Sequence, residues 1–255
     1  MLFNQCIILN KKIHNFANFF IMLLYHYTTI DTFTKIWISE ELQFHEYKNM
    51  NDLYERQKFA EIEIPGRINI PKHIKSFKGG PLGYFFTILS KYQQISFCKD
   101  YISERGCFSP MMWGLYARNE NGICLEFDKN RLLEKVDVYK GSVKYKPVKP
   151  IPLVGIDFES DDNIEKAIIR NRKEIFYAKH PHWRAENEYR VIARNLSALS
   201  IKRALTCIYL QEPMNKDAEL NIKLVEKLVE GNSLPIRFIG VRYDNEHCKL
   251  RLIDR

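Results

Sequence analysis

No two of the six cysteines stand in a C-x-x-C pair; they lie at positions 6, 98, 107, 124, 207 and 248 with no repeating interval. That spacing excludes a zinc ribbon and a thioredoxin-type redox motif, and it points to free thiols in a reducing cytoplasm. Long apolar runs are missing as well. Residues 1 to 24 are rich in apolar side chains, but Asn4, Gln5, Asn10, Lys11, Lys12, His14, Asn15 and Asn18 interrupt them. No stretch of the roughly 20 apolar residues that a bilayer-spanning helix requires is left, so no membrane association is expected. L-L-Y-H-Y after that segment offers no small-residue cleavage site, so no secretory signal is expected either. Met22 stands directly before the first patterned segment, and residues 1 to 21 are expected to be an accessory extension or to come from an upstream start codon. No linker divides the rest, so residues 22 to 255 are expected to form one domain.

The composition, 45% hydrophobic and 27% charged in 255 residues, is that of an ordinary globular protein that buries a sizeable core without disulfides or metal. The formal charge of +8 is uneven. Within residues 166 to 203 there are 10 lysines and arginines against 3 acidic residues. A basic surplus of that size attracts anions, and the phosphates of a dinucleotide or of a nucleic acid both qualify. A solvated basic face that only keeps the protein soluble accounts for it equally well.

That basic stretch contains W-R-A-E-N-E-Y-R-V-I, residues 183 to 192, the pattern with the most chemistry in it. Read as a strand, it sends Glu186, Glu188 and Arg190 to one face and Tyr189, Val191 and Ala193 to the other. One face is then a charged cluster and the other a core contact. The plain alternative is an exposed strand face whose charges pair with their neighbours. His180 and His182 precede it around Pro181, too few for a metal site without a third ligand.

Elsewhere the pattern alternates between the two periods. Leu23 to Tyr27 reads as a strand leading to a helix capped by Thr28 or Thr29, with Ile30, Phe33, Ile36 and Trp37 at helical spacing. His26 thus lies at a strand end beside a helix N-terminus, a common place for a ligand-binding side chain and also for a structural histidine. Leu42 to Phe44 and Ile95 to Cys98 read as strands, the Gly79-Gly80-Pro81 and Gly83 cluster as a loop, and M-M-W-G-L-Y-A-R as a short helix. After the Asn121-Gly122 turn signal, I-C-L-E-F-D alternates with Glu126 and Asp128 on the outward face. Residues 136 to 145 alternate again, before the proline-rich K-P-V-K-P-I-P. A basic helix is expected over about Asn163 to Lys179, with Asp162 and Glu165 as a capping box and Ile164, Ile168 and Ile175 buried. A strand over Thr206 to Leu210 follows. A helix from about Asp217 to Glu230 is expected to bury Leu224 and Leu228, and a terminal hairpin follows it.

Several of these segments together resemble a bacterial family known only as domain of unknown function 2971. They are L-Y-H-Y-T-T-I-D-T-F, N-D-L-Y-E, I-S-F-C, M-W-G-L-Y-A-R-N-E-N-G-I-C-L-E-F-D and W-R-A-E-N-E-Y-R, in that order. The third residue of N-D-L, Leu53, departs from the N-D-P that is commoner in the family. A Tyr-His-x-Thr strand feeding a helix, with a late E-x-E, is also similar to the layout of ADP-ribosyltransferase-like folds. That second resemblance implies an α+β domain with a mainly antiparallel split or curved sheet and peripheral helices, using NAD as substrate and no metal. It implies that His26 holds the ribose, that Glu188 or Glu186 is the catalytic carboxylate, and that Tyr116 or Tyr27 stacks on nicotinamide. Thr28 and Trp113 fall among the NAD-contacting residues, and Arg184 and Arg190 become partners for the pyrophosphate or for Glu186. The implied protein is an NAD-consuming transferase or glycohydrolase with a nucleic-acid or protein acceptor, in the manner of a toxin or anti-phage effector. Two other classes compete. A nucleic-acid-binding module would use residues 166 to 203, and a metal-dependent nuclease would use Glu126, Asp128, Glu186 and Glu188.

Overall fold

A computed structural model describes residues 22–46, 80–102, 104–117, 122–147, 158, 160–212, 216–230, 237–244 and 249–254. The N-terminal extension, N-D-L-Y-E and most of the proline-rich stretch lie outside the described residues.

The chain opens with strand β1 (Leu23–Thr29), helix α1 (Ile30–Ser39) and two short strands, β2 (Glu41–Gln43) and β3 (His45–Glu46). Helix α2 (Gly80–Leu89) and strand β4 (Tyr92–Lys99) follow, then a 3-10 turn (Gly106–Phe108) and helix α3 (Pro110–Tyr116). Next come β5 (Gly122–Asp128), α4 (Lys129–Leu132), β6 (Tyr139–Ser142), β7 (Lys144–Tyr145), α5 (Asp161–Arg170), α6 (Arg172–Phe176) and β8 (Ala178–Lys179). A second 3-10 turn (Pro181–Glu186) leads to β9 (Glu188–Arg194), β10 (Ala198–Ser200), β11 (Leu205–Gln211), α7 (Lys216–Val229) and the hairpin of β12 (Arg237–Asp244) and β13 (Lys249–Asp254).

Local chemistry accounts for several of these boundaries. The Thr29 hydroxyl accepts from Thr32 N–H at 3.3 Å and starts α1, with Asp31 in its first turn where the helix dipole favours a negative charge. Ser109 caps α3 in the same way, and Pro110 fills its first turn, where a missing N–H costs nothing. Gly122 opens β5 because Ala117 leaves no room there; a Cβ built at Gly122 would lie 2.1 Å from that of Ala117.

The fold is α+β with a mainly antiparallel sheet, ordered β13-β12-β11-β5-β1-β4-β9-β6, with β3 added on β4. Its parallel pair, β11 with β12, is joined through α7, as a parallel connection requires. The ladder is weakest in the middle. β1 shares seven register pairs with β5 and β4 shares seven with β9, but β1 and β4 share two, Leu24↔Lys99 and Tyr25↔Cys98. The β1–β4 ladder is thus the shortest along a continuous sheet.

Register separates the two faces. Leu24, Phe97, Leu125, Tyr189, Val191 and Ile208 lie on one face, packed with Phe33 and Ile36 of α1 and Ile222, Val225 and Val229 of α7. The opposite face carries Tyr25, Cys98, Cys124, Cys207 and Tyr209 under Met112 and Trp113 of α3. Towards β9 that face continues through Tyr92 and Ile192 under α2, α5 and α6. Full burial of one such side chain contributes about 1.5–3 kcal/mol. Two covered faces explain why β5 is buried at every position despite its alternating sequence.

Four expectations need correction. The glycine cluster at 80–83 begins helix α2 rather than forming a loop, with Pro81 tolerated in the first turn. The basic helix breaks at Asn171 into α5 and α6 and stops at Phe176. Its cap is Ser160, whose hydroxyl accepts from Asn163 N–H, while Glu165 is buried and pairs with Arg194. Residues 136–145 form two short strands instead of one. Finally, α7 buries Ala218, Ile222, Val225 and Val229, whereas Leu220, Leu224 and Leu228 face outward. Both stripes have helical spacing, and period alone does not choose between them.

Candidate active site

The stretch 183–192 is not one strand. Pro181–Glu186 forms the 3-10 turn, and β9 starts at Glu188. Asn187 makes the join in the left-handed backbone region, φ 43°, and its side-chain amide donates to the carbonyls of Lys99 and Asp100. Asparagine tolerates that conformation better than most residues. The turn brings Glu186 back beside Glu188, so both carboxylates reach the same cluster although only Glu188 lies in the strand.

That cluster is buried rather than an exposed charged face: Lys179 is 4% exposed, Glu186 3%, Glu188 5% and Arg190 0%. Arg190 Nε donates to Glu188 Oε1 at 2.7 Å and its Nη2 donates to Glu188 Oε2 at 2.8 Å, while Nη1 donates to the Phe176 carbonyl. Lys179 Nζ lies 2.5 Å from Glu186 Oε2, 3.5 Å from Glu188 Oε2 and 4.6 Å from the centre of the Trp183 ring. Tyr116 donates to Glu186 Oε1 at 2.6 Å, and Glu188 N–H donates to the Tyr145 hydroxyl at 2.7 Å.

The two carboxylates differ in ionisation. Burial opposes the charge on Glu188, but the positive charges of Arg190 and Lys179, with hydrogen bonds from Arg190 and Ser96, outweigh it and hold its carboxyl well below the usual range. For Glu186, burial and the neighbouring charge of Glu188 win, and its carboxyl is raised despite Lys179 and Tyr116. One glutamate is locked as an anion and the other is poised to exchange a proton.

The other expected residues sit apart from this pair. Tyr25, Cys98 and Glu188 share one row across the sheet, so the next residue, His26, points to the opposite face. There its Nδ1 lies 3.1 Å from the Ser96 carbonyl and its ring meets Phe97 edge-on. Burial depresses its basicity, with the Ser96 carbonyl acting in the other direction. Thr28 is buried on that same face, paired with Ile123. The Tyr27 hydroxyl donates to the Gly106 carbonyl and its ring packs edge-on against Trp113, whose indole N–H donates to the Cys107 carbonyl. Arg190, by contrast, lies against the pair and donates to Glu188 and to the Phe176 carbonyl. The rings of His180 and His182 lie 4.3 Å apart, and among the described residues no three histidine, cysteine or acidic side chains converge on a metal-sized site.

Lys179 has no role in the sequence pattern, where it is the last residue of the helix expected over 163–179. Pro181 was the available signal, since it pushes the preceding residue towards an extended backbone and makes a helix through 179 unfavourable. A second buried carboxylate, Glu126, accepts from Tyr209 and Thr206 hydroxyls at 2.7 Å each and pairs with Arg105. The residues that meet there come from three separate segments, which no local pattern reveals.

Residues 112–191 match the profile of a family described as a protein of unknown function (DUF2971), so the resemblance read from M-W-G-L-Y-A-R to W-R-A-E-N-E-Y-R is borne out over that span. No curated protein matches the chain significantly. Among solved structures it is similar to Thermus sp. 2.9 DarT in complex with ADP-ribosylated ssDNA, at 12% identity and a TM-score of 0.37, over 85% of this chain and 93% of that one. The same DarT in complex with NAD+ is similar at 10% identity and a TM-score of 0.35, over 87% and 97%. With carba-NAD+ the values are 13% and 0.36, over 86% and 95%.

Proposed function

We propose that the protein uses NAD as a substrate, breaking the bond between nicotinamide and ribose and passing ADP-ribose to an acceptor or to water. The observation that carries this reading is the unequal pair: Glu188 is held ionised by Arg190, and Glu186 beside it has a raised proton affinity. Cleavage sends the electron pair of the C1′–N bond to the nicotinamide nitrogen, which becomes neutral, and leaves positive charge on the ribose. A fixed carboxylate stabilises such a charge as in glycoside hydrolysis. The acceptor then bonds to C1′ and loses a proton, which a carboxylate of raised basicity takes up. Glu186 suits that role better than Glu188, because both oxygens of Glu188 are already engaged by Arg190.

Nicotinamide release by the purified protein tests the proposal. Wild type is expected to release it and Glu186→Gln to lose about 10²–10³-fold in rate, the scale of removing one electrostatic stabiliser. Failure of wild type to consume or bind NAD, with and without cell extract or nucleic acid, sinks the reading.

A second reading, nucleic-acid binding, is favoured by exposed Lys166, Arg170 and Lys173, spaced i, i+4, i+7 along α5 and into α6. Four other cations of the basic segment pair with carboxylates: Lys179 and Arg190 in the cluster, Arg194 with Glu165, and Lys202 with Glu40. Steep salt dependence of binding, unchanged by Glu186→Gln and weakened by neutralising those three residues, would favour it.

A further inference from the structure

We infer that Lys179 is the positioning residue of this site: its ammonium, seated between the Glu186 and Glu188 carboxylates and against the face of Trp183, holds Glu186 in its direction. This rests on the reading of Glu186 as the working carboxylate.

Lys179 ends the two-residue strand β8, whose backbone pairs with β7 beyond the main sheet. The 3-10 turn between Lys179 and Glu186 contains Trp183, and the ring lies under the ammonium at 4.6 Å from its centre. An indole face favours a cation and offers it no proton acceptor to compete with the carboxylates. Glu186 Oε2 takes the short contact from Lys179 and Oε1 takes the Tyr116 hydroxyl, one bond on each oxygen. A carboxylate accepts about four hydrogen bonds, so Glu186 is fixed in direction with lone pairs still open. Glu188 is bound on both oxygens by Arg190 and has less to offer.

Arg190 cannot do this work for Glu186. Its three donor nitrogens are directed at Glu188 and at the Phe176 carbonyl. The titratable groups facing Glu186 are Lys179 from β8, Glu188 and Arg190 from β9, Tyr116 from α3, Cys98 from β4, Tyr101 from the loop after β4, and Tyr145 from β7. Glu188 pushes Glu186 towards the neutral acid, and Lys179 is the cation in direct contact that opposes it. Tyr116 supplies direction through a neutral donor. The pair Lys179 and Tyr116 thus orients Glu186, and Lys179 is the charged one of the two.

The test is a carbon-13 NMR titration of the Glu186 side-chain carboxyl, assigned by its disappearance in Glu186→Gln, in wild type, Lys179→Met and Lys179→Arg. Nicotinamide release is followed over the same pH range. In Lys179→Met the Glu186 midpoint is expected to rise by about 1–3 pH units, the effect of removing an opposite charge in contact. The acidic limb of the rate profile should rise with it, kcat should fall while KM holds, and Lys179→Arg should restore both. An unmoved midpoint in a folded Lys179→Met overturns the assignment. Should Lys179→Met not fold, Lys179→Gln is titrated under the same criterion. If neither neutral variant folds while Lys179→Arg does, Lys179 is a stability element and the positioning role is overturned. The NMR result needs no turnover. A shifted midpoint without NAD consumption by wild type removes the transferase reading and leaves the control of Glu186 standing, whereas NAD consumption with an unmoved midpoint removes the role of Lys179 alone.

Discussion

Arg190 grips Glu188 from two residues further along the same strand, through two N–H···O bonds of 2.7 and 2.8 Å that lie wholly out of solvent. Residues two apart on a strand share a face, and on a solvated surface such a pair contributes little. Here burial makes each partner dependent on the other. Replacing Glu188 by Ala removes the carboxylate from a fully buried guanidinium, and the expected loss is about 3–5 kcal/mol of folding stability. Urea unfolding of Glu188→Ala beside Glu186→Ala checks this, with the larger loss at Glu188.

The same pair sets an acid limit. The Glu188 carboxyl is depressed in the folded protein, so the unfolded chain binds the proton more readily. Its contribution to stability is present above the carboxylate's unfolded pKa and is lost as pH falls towards the folded one. Glu186 has the opposite sign: its raised pKa makes the folded state bind the proton first, so its contribution declines as pH rises above the unfolded value. Melting curves from pH 3 to 7 should show the acid-side loss shrink in Glu188→Gln and persist in Glu186→Gln.

Asn187 carries the turn that joins the two carboxylates. Asn187→Ala keeps neither the tolerance for positive φ nor the amide bonds to Lys99 and Asp100, and a loss of about 2–3 kcal/mol is expected from about 1–2 for the backbone and about 1 for the hydrogen bonds. Asn187→Gly should recover the backbone part. Equal destabilisation by Ala and Gly in thermal melts would mean that the amide bonds alone matter.

Gly106 sits under the Tyr25 ring, where an added Cβ would come within 2.3 Å of a ring carbon and 2.9 Å of the Lys99 carbonyl oxygen. Gly106→Ala is expected to cost about 1–3 kcal/mol by overpacking. It also shifts the loop whose Arg105 pairs with Glu126. Denaturant unfolding measures the cost.

The two stripes of α7 make a paired comparison. Ile222→Ala removes a side chain from the main core and should cost about 2–5 kcal/mol. Leu224→Ala, on the exposed stripe, should stay within about 0.5 kcal/mol of wild type. Similar losses at both positions would contradict the observed orientation of the helix.

Much of the element order was legible because local physics writes it into short stretches. Thr29 and Asp31 start α1, Ser109 and Pro110 start α3, and alternation marks β5 and the second half of 183–192. The pairing of Glu188 with Arg190 follows from strand alternation once β9 is placed. Periodicity also established that α7 is amphipathic, without saying whether its leucine stripe or its Ala218, Ile222, Val225 and Val229 stripe would meet the core, since that depends on how α7 lies across the sheet.

What the tertiary structure decided is the charge state of the site. Lys179, Glu186, Glu188 and Tyr116 come from β8, a 3-10 turn, β9 and α3, and they meet because β7 anchors β8, Asn187 reverses the chain and α3 covers that face of the sheet. Sequence alone determined that carboxylates and cations would lie close together, because chain connectivity limits how far neighbours can separate. Their burial, and with it the split between a locked anion and a proton-exchanging acid, depends on solvent exclusion by distant segments, and desolvation energy has no representation in residue spacing.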